Sequence, residues 1–412
     1  MLTLLKIVVL FSELHSFSSW WISRATINHL LNDFLEIEKF RHPRKVRNKN
    51  RISSSPLITG DGFRENFIDH LCDETNGCKL DPSLIQEGDV VFVFSDFLPK
   101  FVKEYVPLIP YSYSILAHNA DVSSPDGQDY PRDIRMGIFV TSNILENEYE
   151  NDRLIAFFGT NLWWNASKVN ATKPSYYHCI PLGLENRHYK GYGYNISNYF
   201  LKSLELNRPN FDPQFLSNRP LLLVAFERDK LKPDRKKLLD ALGIDTRHRN
   251  KHVGLSHVPG ATSTWYNFSS KLSHEQWLEA ITLHRFVVVP FGRGLDTHRM
   301  SEILLMGGVP VMRKSTISSC YDDSDNHITL SVTNISSSRE QSVGGGHNNM
   351  SRGSLPVVFI DRWEDLNQSR LEAEWSRIAT RPLEDWDWKR LTLDHWVNRI
   401  RGMASRSLRR GD

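Results

Sequence analysis

Few stretches of this sequence announce a chemistry. Its 412 residues include four cysteines, Cys72, Cys78, Cys179 and Cys320, too few for a disulfide scaffold. Cys72 and Cys78 are near enough in sequence to close a small loop in an oxidising compartment. No C-x-x-C or H-E-x-x-H spacing occurs, so a structural zinc or a zincin centre has no support. G-x-G-x-x-G, Walker A and G-x-S-x-G sequences are also missing, which weakens a dehydrogenase or hydrolase reading. Charge of one sign is scarce: 51 Lys and Arg against 48 Asp and Glu leave +3, so bulk electrostatics imply no nucleic-acid partner. The apolar N-terminal stretch MLTLLKIVVLFSELHSFSSWW is broken by Lys6, Glu13 and His15. It is short for a membrane span and untidy for a signal peptide.

What is present is ordinary globular material, 40% hydrophobic and 24% charged, in a chain long enough for two cores. Residues 1–60 read as a signal- or anchor-like segment followed by a basic stalk, KFRHPRKVRNKNR. Beyond it, a helix is expected from Phe63 to Leu71, a buried strand at VVFVF (Val90 to Phe94), and a helix from Phe97 to Val106. Further strands are expected at Tyr113 to Ala117, Leu154 to Phe158 and Ile180 to Leu184. A second series begins after Arg208-Pro209: strand LLLVAF (Leu221 to Phe226), helix PDRKKLLDAL ending at Gly243, and a helix from Ser273 to Thr282. Ser273 and Gln276 are spaced as a capping box. A strand at Pro356 to Ile360 closes that series, and the Trp-rich tail from Asp385 to Ile400 has the pattern of an amphipathic helix. Such alternation predicts an α/β fold of two Rossmann-like, doubly wound domains facing a cleft. The expected bounds are 61–207 and 208–384, with a mobile insertion at 322–354 and a C-terminal helix and tail at 385–412.

The richest stretch is HRFVVVPFGRGLDTHRMSEILLMGGVPVMRK, from His284 to Lys314. Phe286 to Pro290 reads as a buried strand, and Gly292 and Gly294 free the backbone for a tight turn. Asp296 or Thr297 caps a helix that Gly307-Gly308 stops, and a second strand follows. The loop and helix start form a ready anion site. His298, Arg299 and Glu302 fall within one turn of that loop. A cation so near a helix start opposes the macrodipole unless an anion is also there. A phosphate on Arg299, with Glu302 accepting from ribose hydroxyls, accounts for the set; a surface Arg–Glu pair is the bland alternative.

This stretch, followed by LPVVFIDRWEDL, resembles the C-terminal half of exostosin-type glycosyltransferases. SDFLPKF, LAHNAD, IAFFGTNLWW and HCIPLGLENRHY resemble pieces of exostosin-like proteins. The resemblance implies a GT-B-like fold and a nucleotide-sugar donor, UDP-type, with a glycan or glycoprotein as acceptor. It puts Glu302 at the ribose and Arg299, with the loop amides near Gly292 and Gly294, at the diphosphate, and it counts Arg293, Asp296 and His298 among the donor-binding residues. Arg228 or Arg235 would add charge for the leaving group. An inverting transfer needs a base in the first domain, and Asp96, Asp121 and His118 follow its strands. Glu185 and Arg187 follow another. No cofactor is expected beyond the co-substrate. No essential metal is expected either, because Asp385-Trp-Asp387 and Asp323-Ser-Asp325 do not follow buried strands.

Seven N-x-S/T triplets, beginning at Asn165, Asn170, Asn195, Asn267, Asn334, Asn349 and Asn367, point to the secretory pathway, an ER or Golgi lumen. Membrane association through the N-terminus is compatible with this. A non-catalytic exostosin-like binder of glycans or partners is the alternative, and a nucleotide- or phosphate-binding hydrolase or dehydrogenase stands further off.

Overall fold

The computed structural model describes residues 57–66, 68–121, 123–126, 141–163, 176–186, 216–226, 233–244, 265–269, 272–322 and 354–407. In chain order the first half gives α1 (Gly60–Asn66), β1 (His70–Cys72), β2 (Asp89–Phe94), α2 (Leu98–Glu104) and β3 (Tyr113–His118). Then come β4 (Ser124–Pro125), α3 (Thr141–Glu150), β5 (Leu154–Gly159), β6 (Leu162–Trp163) and β7 (Tyr177–Cys179). The second half gives β8 (Leu222–Ala225), α4 (Pro233–Ala241), β9 (Tyr266–Ser269), α5 (His274–Thr282) and β10 (Phe286–Val288). It continues through α6 (His298–Leu305), β11 (Val309–Arg313), β12 (Val358–Ile360), α7 (Gln368–Ala379) and α8 (Leu393–Ser407).

Strands β1, β2, β3, β5 and β7 form one parallel sheet in that spatial order. Period-two alternation sends Val91, Val93, Ile115, Ala117 and Phe157 into one core, which also holds Leu98, Phe101 and Val102 of α2 and Leu145 of α3. Val90, Phe92, Leu116 and Phe158 enter a second core, filled by Phe63 of α1 and by Leu393, Trp396, Ile400 and Ala404 of α8. The last helix of the chain thus returns to cover the first sheet. Arg401 holds it there, donating to both carboxylate oxygens of Asp69 at 2.6 and 2.9 Å.

The other sheet has the order β12-β11-β10-β8-β9, all parallel. From β8 the chain moves outward to β9, then crosses back to β10 and proceeds the other way. The switch point of this doubly wound sheet therefore lies between β8 and β10, where open α/β sheets place ligands. The predicted α/β class with two Rossmann-like halves holds.

Local expectations fare unevenly. The Ser273/Gln276 capping box forms in both directions, and Gly243 and Gly307 end α4 and α6 at φ +66° and +79°. The helix expected through Leu71 stops at Asn66, because His70 to Cys72 is claimed by parallel pairing with Val91 to Val93. Ile180 to Leu184 is not a strand: Leu182 N–H donates to Asp296 Oδ2 and Leu184 N–H to Ile58 O, so its backbone serves the seam between the halves. Helices α3 and α7 and strand β9 were not anticipated. The tail helix begins at Leu393, after short 3-10 turns at Leu383–Asp385 and Trp388–Leu391. The bulk of the expected insertion, 323–353, and the basic stalk lie outside the described residues.

All four cysteines are paired. Cys72–Cys78 closes a local turn, and Cys179–Cys320 joins the end of β7 to the turn after β11, tying one half of the chain to the other. Among the described residues no helix is long and apolar enough to cross a membrane.

Candidate functional site

At the switch point, the guanidinium of Arg299 donates through Nη1 to the carbonyl of Ala225, the last residue of β8. Its planar head also lies 4.6 Å from the ring centroid of Trp277 in α5, a cation–π contact. The Trp277 indole donates to Glu302 Oε2 at 2.7 Å, while Glu302 Oε1 lies 3.3 Å from His274 Nε2. Glu302 is 1% exposed. Both its oxygens are thus turned into the protein, correcting the expectation of a carboxylate open to ribose hydroxyls. Arg299 lies at the carboxyl end of a central strand, β8.

The loop from β10 to α6 is set by Asp234 in the first turn of α4. Its carboxylate accepts from Phe291 N–H at 2.9 Å and the Trp363 indole at 3.1 Å, and lies 2.7 Å from Arg313 Nε. Gly292 N–H donates to Gly294 O at 3.0 Å, closing a tight turn. A Cβ on Gly292 would meet only Thr297 Cγ2 at 3.4 Å, so space remains beside it. Gly294 is different: a Cβ there would lie 2.4 Å from Oδ1 of Asn161, which follows β5 in the first sheet. That glycine admits a side chain from the other half, not a ligand as expected.

Asp296 is likewise occupied. Its N–H donates to Asn161 Oδ1 at 2.6 Å; its Oδ2 accepts from Leu182 N–H and the Tyr321 hydroxyl, each at 2.8 Å; its Oδ1 accepts from Thr297 N–H. Burial pushes the Asp296 carboxyl above the usual carboxylate range against the pull of these donors. Expected among the donor-binding residues, it instead bolts the two sheets together. Thr297 is the N-cap of α6 but makes no side-chain cap bond.

His298, the first residue of α6, also faces the other half. Its Nδ1 donates to Gly183 O at 2.9 Å, and Nε2 lies 3.3 Å from Glu185 Oε2. Burial works against its charge, but the hydrogen bond and charge of Glu185, with the Gly183 carbonyl, outweigh it and lift His298 to about 9. His298 is thus paired with Glu185 across the seam, whereas Arg299, the next residue, turns to Ala225 and Trp277.

Of the three proton acceptors expected in the first domain, His118 is excluded by geometry. Asn119 N–H donates to its Nδ1 at 2.7 Å and its Nε2 faces Pro181 O at 3.4 Å, so neither nitrogen is open to a substrate. Burial holds it down at about 3, hence neutral. Asp96 lies in the 3-10 turn Ser95–Phe97 at the carboxyl end of β2. Asp121 stands half exposed, 3.8 Å from the exposed Arg293 across the seam. Arg235 lies over the Phe226 ring at 5.5 Å, a packing contact. Arg228 and Arg187 lie outside the described residues.

Trp277, His274, Asn161 and Asp234 were not anticipated as parts of this site. Only the apolar face of α5 hinted that Trp277 turns inward; nothing local marks the other three. Among the described residues no group of three or more His, Cys, Asp or Glu is arranged to hold a metal ion.

No protein-family model matches the chain, and no curated protein is detectably similar to it. Among solved structures it is similar to an α,α-trehalose 6-phosphate synthase from Burkholderia multivorans, at 10% identity and a TM-score of 0.36, covering 80% of this chain and 74% of that one. It is also similar to an α,α-trehalose-phosphate synthase (UDP-forming) from Burkholderia vietnamiensis, at 10% identity and a TM-score of 0.31, covering 80% and 73%. Likenesses this distant carry no inference about activity.

Proposed function

We propose that this protein is a glycosyltransferase that moves a sugar from a nucleotide-sugar donor, UDP-type, to a glycan or glycoprotein acceptor. The observation that carries the reading is Arg299, fixed at the end of β8 beside the switch point of a doubly wound sheet. Glycosyl transfer builds negative charge on the departing diphosphate, and a preorganised cation there lowers the barrier. Arg299 supplies such a cation without reorganisation, because Ala225 and Trp277 hold it on two sides.

With His118 excluded, Asp121 and Asp96 remain as the carboxylates that would take the proton of the attacking hydroxyl. Asp121 is favoured by its position opposite Arg293, on the rim where the two halves meet. The reading divides the chain into an acceptor-side domain, 61–207, and a donor-side domain, 208–384. Both disulfides support an oxidising compartment, consistent with the secretory pathway, and membrane attachment would fall to residues 1–60.

A thermal-shift panel of UDP-, GDP- and CMP-sugars tests the reading. One donor class should raise Tm, and Arg299→Ala should abolish the rise. A non-catalytic binder is the competing reading, favoured by the engagement of Asp296 and Gly294 across the seam. It predicts no shift with any nucleotide sugar and no transfer.

A further inference from the structure

Glu302 and Arg299 lie on one face of α6, but they do not meet a common ligand in the same way. Glu302 is buried, and its two oxygens face the Trp277 indole and His274. Trp277 in turn is 4% exposed and offers its ring face to the Arg299 guanidinium. The order of contacts is carboxylate, indole N–H, indole face, guanidinium, strand-end carbonyl. A ribose reaching Glu302 would have to open a site that is 1% exposed and compete with the Trp277 indole and His274 for its oxygens; the indole bond, to a carboxylate, is among the stronger kinds.

We infer that Glu302 is a positioning residue that serves the phosphates of a bound nucleotide through Trp277 and Arg299, and does not contact the ribose. This rests on the glycosyltransferase reading above. The carboxylate fixes the rotation of the indole; the indole face fixes the plane of the guanidinium; the fork is thereby aimed for a diphosphate. Arg at a helix start is otherwise poorly placed against the macrodipole, and the buried carboxylate one turn on offsets that.

The test uses the full chain and three probes, UDP, 2′-deoxy-UDP and inorganic pyrophosphate, with Kd measured calorimetrically. Wild type should bind all three. Glu302→Gln should weaken all three by a common factor of about 10, the scale of one hydrogen bond to a charged group. Arg299→Ala should weaken all three at least as much, and the double variant should be no worse than Arg299→Ala alone, since the two act in series. Trp277→Phe keeps a ring under Arg299 but removes the indole donor. It should reproduce the common loss and carries the test if Glu302→Gln does not fold. A Glu302→Gln that weakens UDP but spares 2′-deoxy-UDP and pyrophosphate would show a ribose contact and overturn the inference while leaving the transferase reading standing. Unchanged binding of all three would overturn it as well. A wild-type protein that binds none of the three would remove both readings together.

Discussion

Gly294 lacks a side chain where the carboxamide of Asn161 fills the space that one would take, with Oδ1 2.4 Å from the position of a Cβ. The same Oδ1 accepts from Asp296 N–H, and Asn161 Nδ2 donates to Ala120 O. One side chain from the first half thus fixes the turn that leads into α6 in the second.

Gly294→Ala should therefore push Asn161 out of its pocket. Overpacking of this kind costs about 1–3 kcal/mol, which a thermal melt reads as a clear fall in Tm. Asn161→Gly in the same background should recover part of the loss by removing the clash. A Gly294→Ala variant as stable as wild type would mean that the Asn161 carboxamide moves aside at little cost and does not fix this turn.

Stability should peak near pH 6.5–7, for opposite reasons on the two flanks. His298 has its pKa raised from 6.5 to about 9, so its contribution is complete below pH 6.5 and is lost as pH rises through 9. His118 has its pKa lowered to about 3, so its contribution is complete above pH 6.5 and is lost as pH falls toward 3. At 1.36 kcal/mol per unit these are worth at most about 3 and 5 kcal/mol respectively. Glu185→Gln should flatten the alkaline limb alone, and His118→Phe the acid limb alone. Denaturant titrations from pH 4 to 10 check both; a limb unmoved by its variant removes that assignment.

The Cys179–Cys320 bridge closes a span of 141 residues. Loop-closure entropy for spans of this order puts its contribution at about 3–5 kcal/mol. Cys179→Ala/Cys320→Ala should lower Tm strongly, whereas Cys72→Ala/Cys78→Ala, across a separation of 6, should cost less. Equal losses would contradict the ranking.

Two of the N-x-S/T triplets fall on described residues, and their surroundings differ. Asn367 is exposed and caps α7, accepting from Arg370 N–H at 3.0 Å through Oδ1, an interaction that a glycan on Nδ2 leaves in place. Asn267 lies in β9 with Nδ2 2.8 Å from Nε2 of the buried His284. Protein secreted from a eukaryotic host should carry glycan at Asn367 and none at Asn267, read by mass spectrometry of enzymatically deglycosylated peptides. Occupancy at Asn267 in folded protein would refute the pairing with His284.

Much of the frame could be read along the chain. The strand–loop–helix–strand run from Phe286 to Met312, the capping box at Ser273 and the glycine stop of α6 depend on neighbours within a few residues. Periodicity and turn chemistry report such neighbours directly. The parts that misled were those decided at long range. Ile180 to Leu184 has the composition of a strand, yet its amides are spent on Asp296 and Ile58. His118 has the address of a catalytic group, but the backbone of Asn119 and Pro181 takes both ring nitrogens. Glu302 has a fitting position on α6, but its partner is an indole on another helix.

Alone, the sequence determined that two runs of alternating strands and helices would build parallel sheets, and that a cation and a carboxylate would share one turn after a glycine loop. Local hydrogen bonding and side-chain period suffice for that much. Only the tertiary structure decided which side chains face a ligand and which face the protein. Asn161, Leu182 and Asp296 meet across more than a hundred residues of chain, and Arg299 reaches the end of β8 from a helix 74 residues on. Such pairings arise when the sheets pack, because a buried polar group must find its partner wherever the fold brings one within reach.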